Sequence, residues 1–156
     1  MSVEHNKNEA TRWFSTALDD LDAAEIMHDN GKYAHACFLC QQSAEKAIKA
    51  LYYYHDMDPW GHSILKLIEE LSPSCIHYHA LKIFTDDARV LDRLYIPTRY
   101  PNGLPDIIPA QAYGIADSKT AIQITRKILS SIQPLLTWLQ ADTDFEYNKK
   151  SCYRTL

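Results

Sequence analysis

Glycine is scarce, with four in 156 residues, and none sits in a Gly-rich phosphate loop, a Gly-x-Gly-x-x-Gly turn or a Gly-x-Ser-x-Gly elbow. P-loop, dinucleotide-binding and serine-hydrolase chemistry therefore have no footing in the sequence. No apolar run approaches the roughly 18 residues a membrane span needs. The polar start from Met1 to Glu9 lacks the apolar core of a secretory signal, so the expected location is the cytoplasm. Positive charge is not in excess: the net charge is -4, which argues against a broad electrostatic grip on nucleic acid and leaves room only for a local basic site. Cysteine is limited to Cys37, Cys40, Cys75 and Cys152. Without an export signal these are expected to be reduced thiols, and Cys37-x-x-Cys40 has no second pair to complete a zinc site. Glu25-x-x-His28 likewise lacks the second Glu-x-x-His of a two-metal bundle site, and His77 and His79, two apart, do not share a helix face. No metal is expected.

What the chain does have is helical periodicity. Trp13, Phe14, Ala17, Leu18, Leu21, Ala24 and Met27 recur at three- and four-residue spacing, predicting a helix from about residue 8 to 28 that ends at Asp29-Asn30-Gly31. A second is predicted from about Lys32 to Tyr54 or His55, with Cys37, Cys40, Ala44, Ala47, Ile48 and Leu51 as its apolar seam. After a turn containing Pro59 and Gly61, His62 or Ser63 should cap a short helix through Ile64, Leu65, Ile68 and Leu71. A fourth is predicted from about Cys75 to Leu94, and a last long one opens at Asp117 or Ser118 and carries apolar residues to Leu139, kinked or divided at Pro134. Residues from Ala141 onward read as a frayed polar tail. No segment alternates with period two and no internal repeat occurs. The expected fold is all-α, one domain over 1–156 with its core at about 8–140: an antiparallel up-and-down four-helix bundle with one additional short helix.

Between the last two predicted long helices lies a connection of about 22 residues, Tyr95 to Ala116, holding Pro97, Pro101, Pro105 and Pro109. Connections of that length in compact domains are often functional. Its start, Tyr95-Ile96-Pro97-Thr98-Arg99-Tyr100-Pro101, sets an arginine between two tyrosines on stiff backbone. Arg99 offers a planar fork for phosphate or carboxylate, and Tyr95 and Tyr100 offer flat faces for a base or a partner side chain. The plainer alternative is a rigid loop with its tyrosines packed on the bundle. Gln42, Glu45, Lys46 and Lys49 form a polar stripe on the second helix, by default a solvated ladder of charges. If that helix packs against the fourth, the stripe faces Asp92, Arg93 and the Arg99 loop, and Lys46 and Arg99 would bracket an anion. His62 reads first as a helix cap or core contact, and as a base only second.

Ala36-Cys37-Phe38, Gln41 through Leu51 with its Ala-Glu-Lys-Ala-Ile-Lys-Ala-Leu run, Gly61-His62-Ser63, and Asp92-Arg93 followed by Tyr95 to Pro101 together resemble the HEPN family (higher eukaryotes and prokaryotes nucleotide-binding) over residues 8–140. The resemblance implies a helical bundle, a homodimer, and a small nucleotidyltransferase as partner in a toxin-antitoxin-like or related system. Many family members are ribonucleases carrying Arg and, four to six residues on, His. None of Arg12, Arg89, Arg93, Arg99, Arg126 and Arg154 has a histidine at that distance. The expectation is therefore a non-catalytic binder of a purine nucleotide or of a partner, with no other cofactor. Arg99 would take phosphate, Tyr95 or Tyr100 the base or partner, and Lys46 and Lys49 a second positive contact, with Gln42, Arg93 and His62 completing the set. A divergent ribonuclease using His62, or a structural dimerisation module, is the alternative.

Overall fold

The computed structural model describes residues 3–137, which contain seven α-helices and no β-strand. Three are long: α1 (Val3–Asp29), α2 (Tyr33–Tyr54) and α7 (Ile115–Thr137). Between α2 and α7 come α3 (Ile64–Glu69), α4 (Tyr78–Lys82), α5 (Thr85–Asp92), a 3-10 turn (Pro101–Gly103) and α6 (Pro109–Ala112). The expected tail beyond Ala141 and the end of the last helix at Leu139 lie outside the described residues.

α1 stops where the sequence predicts. Gly31 adopts φ 72°, its N–H donates to the His28 carbonyl at 3.0 Å, and the Lys32 N–H donates to the Met27 carbonyl at 2.8 Å. This double closure satisfies carbonyls that the helix end would orphan and reverses the chain into α2. Alanines then let the two backbones approach: Ala17 and Ala24 of α1 and Ala44 and Ala47 of α2 are fully buried, and Ser43 Oγ donates across to the Ala17 carbonyl at 2.6 Å. α7 closes the other side of α2 with Ile128 and Ile132 in the core, and Thr125 Oγ1 donates to the Cys40 carbonyl at 3.2 Å.

The all-α bundle is as expected, but its fourth arm is segmented. The predicted single helix over 75–94 is α4 and α5, separated at Ile83-Phe84. Phe84 turns into the core at 8% exposure while Ile83 remains 74% exposed, so the chain bends to bury one ring rather than continuing a straight apolar stripe. The 95–116 connection carries more local order than expected, and α7 begins earlier, where the Gly114 N–H donates to Asp117 Oδ2 at 2.7 Å. α7 continues through Pro134 to Thr137. Cys37 and Cys40 are buried free thiols, and burial pushes each up to about 12, which leaves them poor nucleophiles. Cys75 is disulfide-bonded, against the expectation of four reduced thiols. No helix among the described residues is long and apolar enough to cross a membrane.

Candidate ligand-binding site

α2 supplies the floor. Its stripe is not a solvated ladder: Glu45 is 4% exposed and Lys49 8%, Gln42 and Lys46 are half-buried, and the neighbouring Gln41 is fully buried. Lys49 Nζ lies 2.9 Å from Glu45 Oε1, and Gln41 Nε2 donates to Glu45 Oε2 at 3.2 Å. Gln42 Nε2 donates to Gln41 Oε1 at 2.7 Å, steadying that amide from the side. A carboxylate this buried needs such partners, because desolvation without them is costly.

The turn after α2 brings His62 onto this floor. Its Nδ1 is 3.1 Å from Glu45 Oε1, and its carbonyl accepts from Gln41 Nε2 at 3.0 Å. A carboxylate at Nδ1 makes that nitrogen the donor and leaves Nε2 as the acceptor of the neutral ring. The expected choice of His62 or Ser63 as helix cap resolves to Ser63, whose Oγ accepts from the Lys66 N–H at 3.1 Å. Asp92, at the end of α5, reinforces the same terminus by accepting from Ser63 Oγ at 2.7 Å, the Ile64 N–H at 2.7 Å and the Leu65 N–H at 3.1 Å. A carboxylate suits a helix N-terminus, and here it ties the segment preceding Tyr95 to the segment carrying His62.

Tyr95 and Arg99 complete the site. The His62 and Tyr95 rings stack with centroids 5.0 Å apart and planes at 24°. Arg99 is surrounded by rings: its guanidinium carbon lies 4.5 Å from the Phe38 centroid, 4.5 Å from Tyr95 and 5.1 Å from Tyr100. Its Nε donates to the Tyr95 carbonyl at 2.9 Å, which fixes the plane of the fork. No carboxylate pairs with Arg99 among the described residues, so the charge of its fork is balanced there only by ring faces. Thr98, buried beneath, donates to the Leu94 carbonyl at 2.5 Å and holds the turn.

The structure thus brings together His62, Tyr95, Arg99 and Tyr100 and sets Gln42 in the supporting layer. It does not bring Lys46 to Arg99. Lys46 Nζ lies 2.5 Å from Asp20 Oδ2 of α1, so the expected bracket of Lys46 and Arg99 around an anion has no counterpart in the observed contacts. Helical geometry is the reason, since Lys46 lies one residue off the line of Phe38, Glu45 and Lys49 and turns toward α1. Lys49 is likewise committed to Glu45, with its ammonium 5.9 Å from the Trp13 ring. Arg93, the C-cap of α5, is exposed to solvent without an ion pair among the described residues. Phe38 and the buried Glu45 anchor under His62 were missed as site residues. Their positions seven apart on one helix face, opposite an aromatic and basic loop, were the available signal.

A separate cleft of about 360 Å³ lies between the end of α1 and the start of α7, lined among others by Glu25, His28, Lys119 and Arg126. Two of its polar groups are paired across it, Arg126 Nε donating to Glu25 Oε1 at 2.9 Å, and His28 Nδ1 lies 2.7 Å from Ser118 Oγ. It lacks the ring-flanked, unpaired cation of the Arg99 site.

The HEPN domain family matches residues 10–135. The chain belongs to the HEPN family. Among solved structures, TT1696 from Thermus thermophilus is 35% identical with a TM-score of 0.73, covering 81% of this chain and 98% of that one. ST0689, an archaeal HEPN homologue, is 30% identical with a TM-score of 0.67, covering 82% and 98%. A HEPN domain protein from Thermotoga maritima is 26% identical with a TM-score of 0.61, covering 82% and 99%. No curated protein matches the chain. The matched HEPN region contains every element of the Arg99 site.

Proposed function

We propose that this HEPN protein binds a purine nucleotide at the Arg99 site, with the guanidinium on phosphate and the His62 and Tyr95 rings beside the base. The observation that carries this reading is Arg99 itself, ringed by Phe38, Tyr95 and Tyr100 and without a carboxylate partner among the described residues. Calorimetric titration of ATP and GTP into wild type and Arg99→Ala tests it. Loss of a charge-assisted hydrogen-bonding group should weaken binding by about tenfold or more. No heat with either protein and either nucleotide removes the reading.

The exposed side chains of Ile96 and Tyr100 beside Arg99 also suit a protein partner, for which a small nucleotidyltransferase, or a second copy of the chain, is what the HEPN resemblance implies. A second reading, cleavage of RNA without the Arg-x4-6-His pair, is favoured by the Glu45–His62 contact, which leaves Nε2 as the proton acceptor of a neutral ring that shares Tyr95 as a neighbour with Arg99. An RNA cleavage assay separates the two: activity abolished in both Arg99→Ala and His62→Ala would put catalysis ahead of binding alone.

A further inference from the structure

Trp60 is 85% exposed, the highest value for any large hydrophobic side chain among the described residues. A scattered exposed leucine or isoleucine is ordinary, but an indole left in water forgoes an unusually large burial gain. The backbone around it is tightly built. α2 ends with Asp56 at φ 55° and the Met57 N–H donating to the Tyr52 carbonyl at 2.9 Å; Met57 and Pro59 are buried. Gly61 then takes φ 85°, yet a Cβ there would meet no atom within 4 Å, so glycine serves the bend and not a close contact. His62 follows, tied by its carbonyl to Gln41 and by its ring to Glu45 and Tyr95. Trp60 is therefore carried outward between two anchored positions, and its Cα lies within about 7 Å of that of His62. One face of the His62 ring rests on Tyr95, while 60% of the His62 side chain remains exposed.

We propose that Trp60 is the outer wall of the base-binding site: a purine stacks on the open face of His62 and the indole closes over it, while Arg99 holds the phosphate. This rests on the nucleotide reading above and assigns the base to the turn at 60–62. The full chain is titrated with ATP, GTP and inorganic tripolyphosphate, by calorimetry and by tryptophan fluorescence. In wild type the purine nucleotides should change the emission, and Trp60→Phe should abolish that change while keeping most of the affinity. Trp60→Ala should weaken ATP by about tenfold, the range of base–aromatic stacking, and leave tripolyphosphate binding unchanged. Arg99→Ala should weaken both ligands. The exposure of Trp60 predicts an unaltered thermal midpoint in either Trp60 variant. Equal ATP affinity in wild type and Trp60→Ala, or a parallel loss of tripolyphosphate affinity, overturns the wall with the nucleotide site intact. Failure of wild type to bind either nucleotide overturns both.

Discussion

Acid should destabilise this protein through one buried pair before its carboxylates are titrated. His55 and His77 are 0% and 2% exposed, and their Nε2 atoms lie 2.6 Å apart. Such a contact requires one ring to donate and the other, neutral, to accept, and burial disfavours charge on either ring. Burial lowers His77 to about 4 from an ordinary 6.5, and burial, with the facing His77, lowers His55 to about 3. The folded chain therefore binds fewer protons than the unfolded chain below about pH 6.5. The pair's contribution is intact above that value and is progressively lost as pH falls toward the folded values. pH 5 lies about 1.5 units below the unfolded value of each histidine, an interval worth about 2 kcal/mol per resisted proton. The loss relative to pH 8 is then about 2 kcal/mol if one proton serves the pair and about 4 kcal/mol if both sites resist protonation separately. For a chain of this size that corresponds to a fall in the thermal midpoint of about 4 to 16 °C. Urea unfolding of wild type and of His55→Leu/His77→Leu from pH 8 to pH 5 measures it. The double variant should lose most of the slope. A wild-type change below about 1 kcal/mol, or equal slopes in the two proteins, refutes the reasoning.

Asp92→Ala removes three hydrogen bonds from the start of α3 and should cost about 2 kcal/mol in denaturant unfolding, since part-buried donors lose a charged acceptor; a cost under about 0.5 kcal/mol would mean that water replaces the carboxylate. Glu45→Gln leaves the Lys49 ammonium buried without its counter-charge and should cost about 3 kcal/mol. Adding Lys49→Met to that variant should recover most of the loss, and absence of recovery would show that Glu45 acts through His62 and Gln41 instead.

The long helices were legible because their cause is local. Spacing of apolar residues, the Asn30-Gly31 stop and Ser63 before Ile64 each act within a few residues, and α1, α2 and α3 follow them, although α1 starts at Val3 rather than near residue 8 and α3 ends at Glu69, short of Leu71. The periodicity of the 75–94 stretch fits one straight stripe and so predicts one helix, whereas Phe84 is drawn inward by the core it meets and divides it. In the candidate site, Arg99 and its tyrosines were readable from the proline frame. The partners of Lys46 and Lys49 were not. A charged side chain on a helix has the same local signature whether it faces water, an aspartate on α1 or a buried glutamate.

By itself the sequence determined the helical class, the HEPN resemblance and the stiff arginine loop, because each depends on residues close together in the chain. Tertiary structure alone decided that Glu45 is buried, that it orients His62 over Tyr95, and that Phe38 joins two tyrosines around Arg99. Those contacts join residues of α2 with loops that follow it by about 20 to 60 positions. Which groups meet across such separations is set by how the helices pack together, not by local propensity.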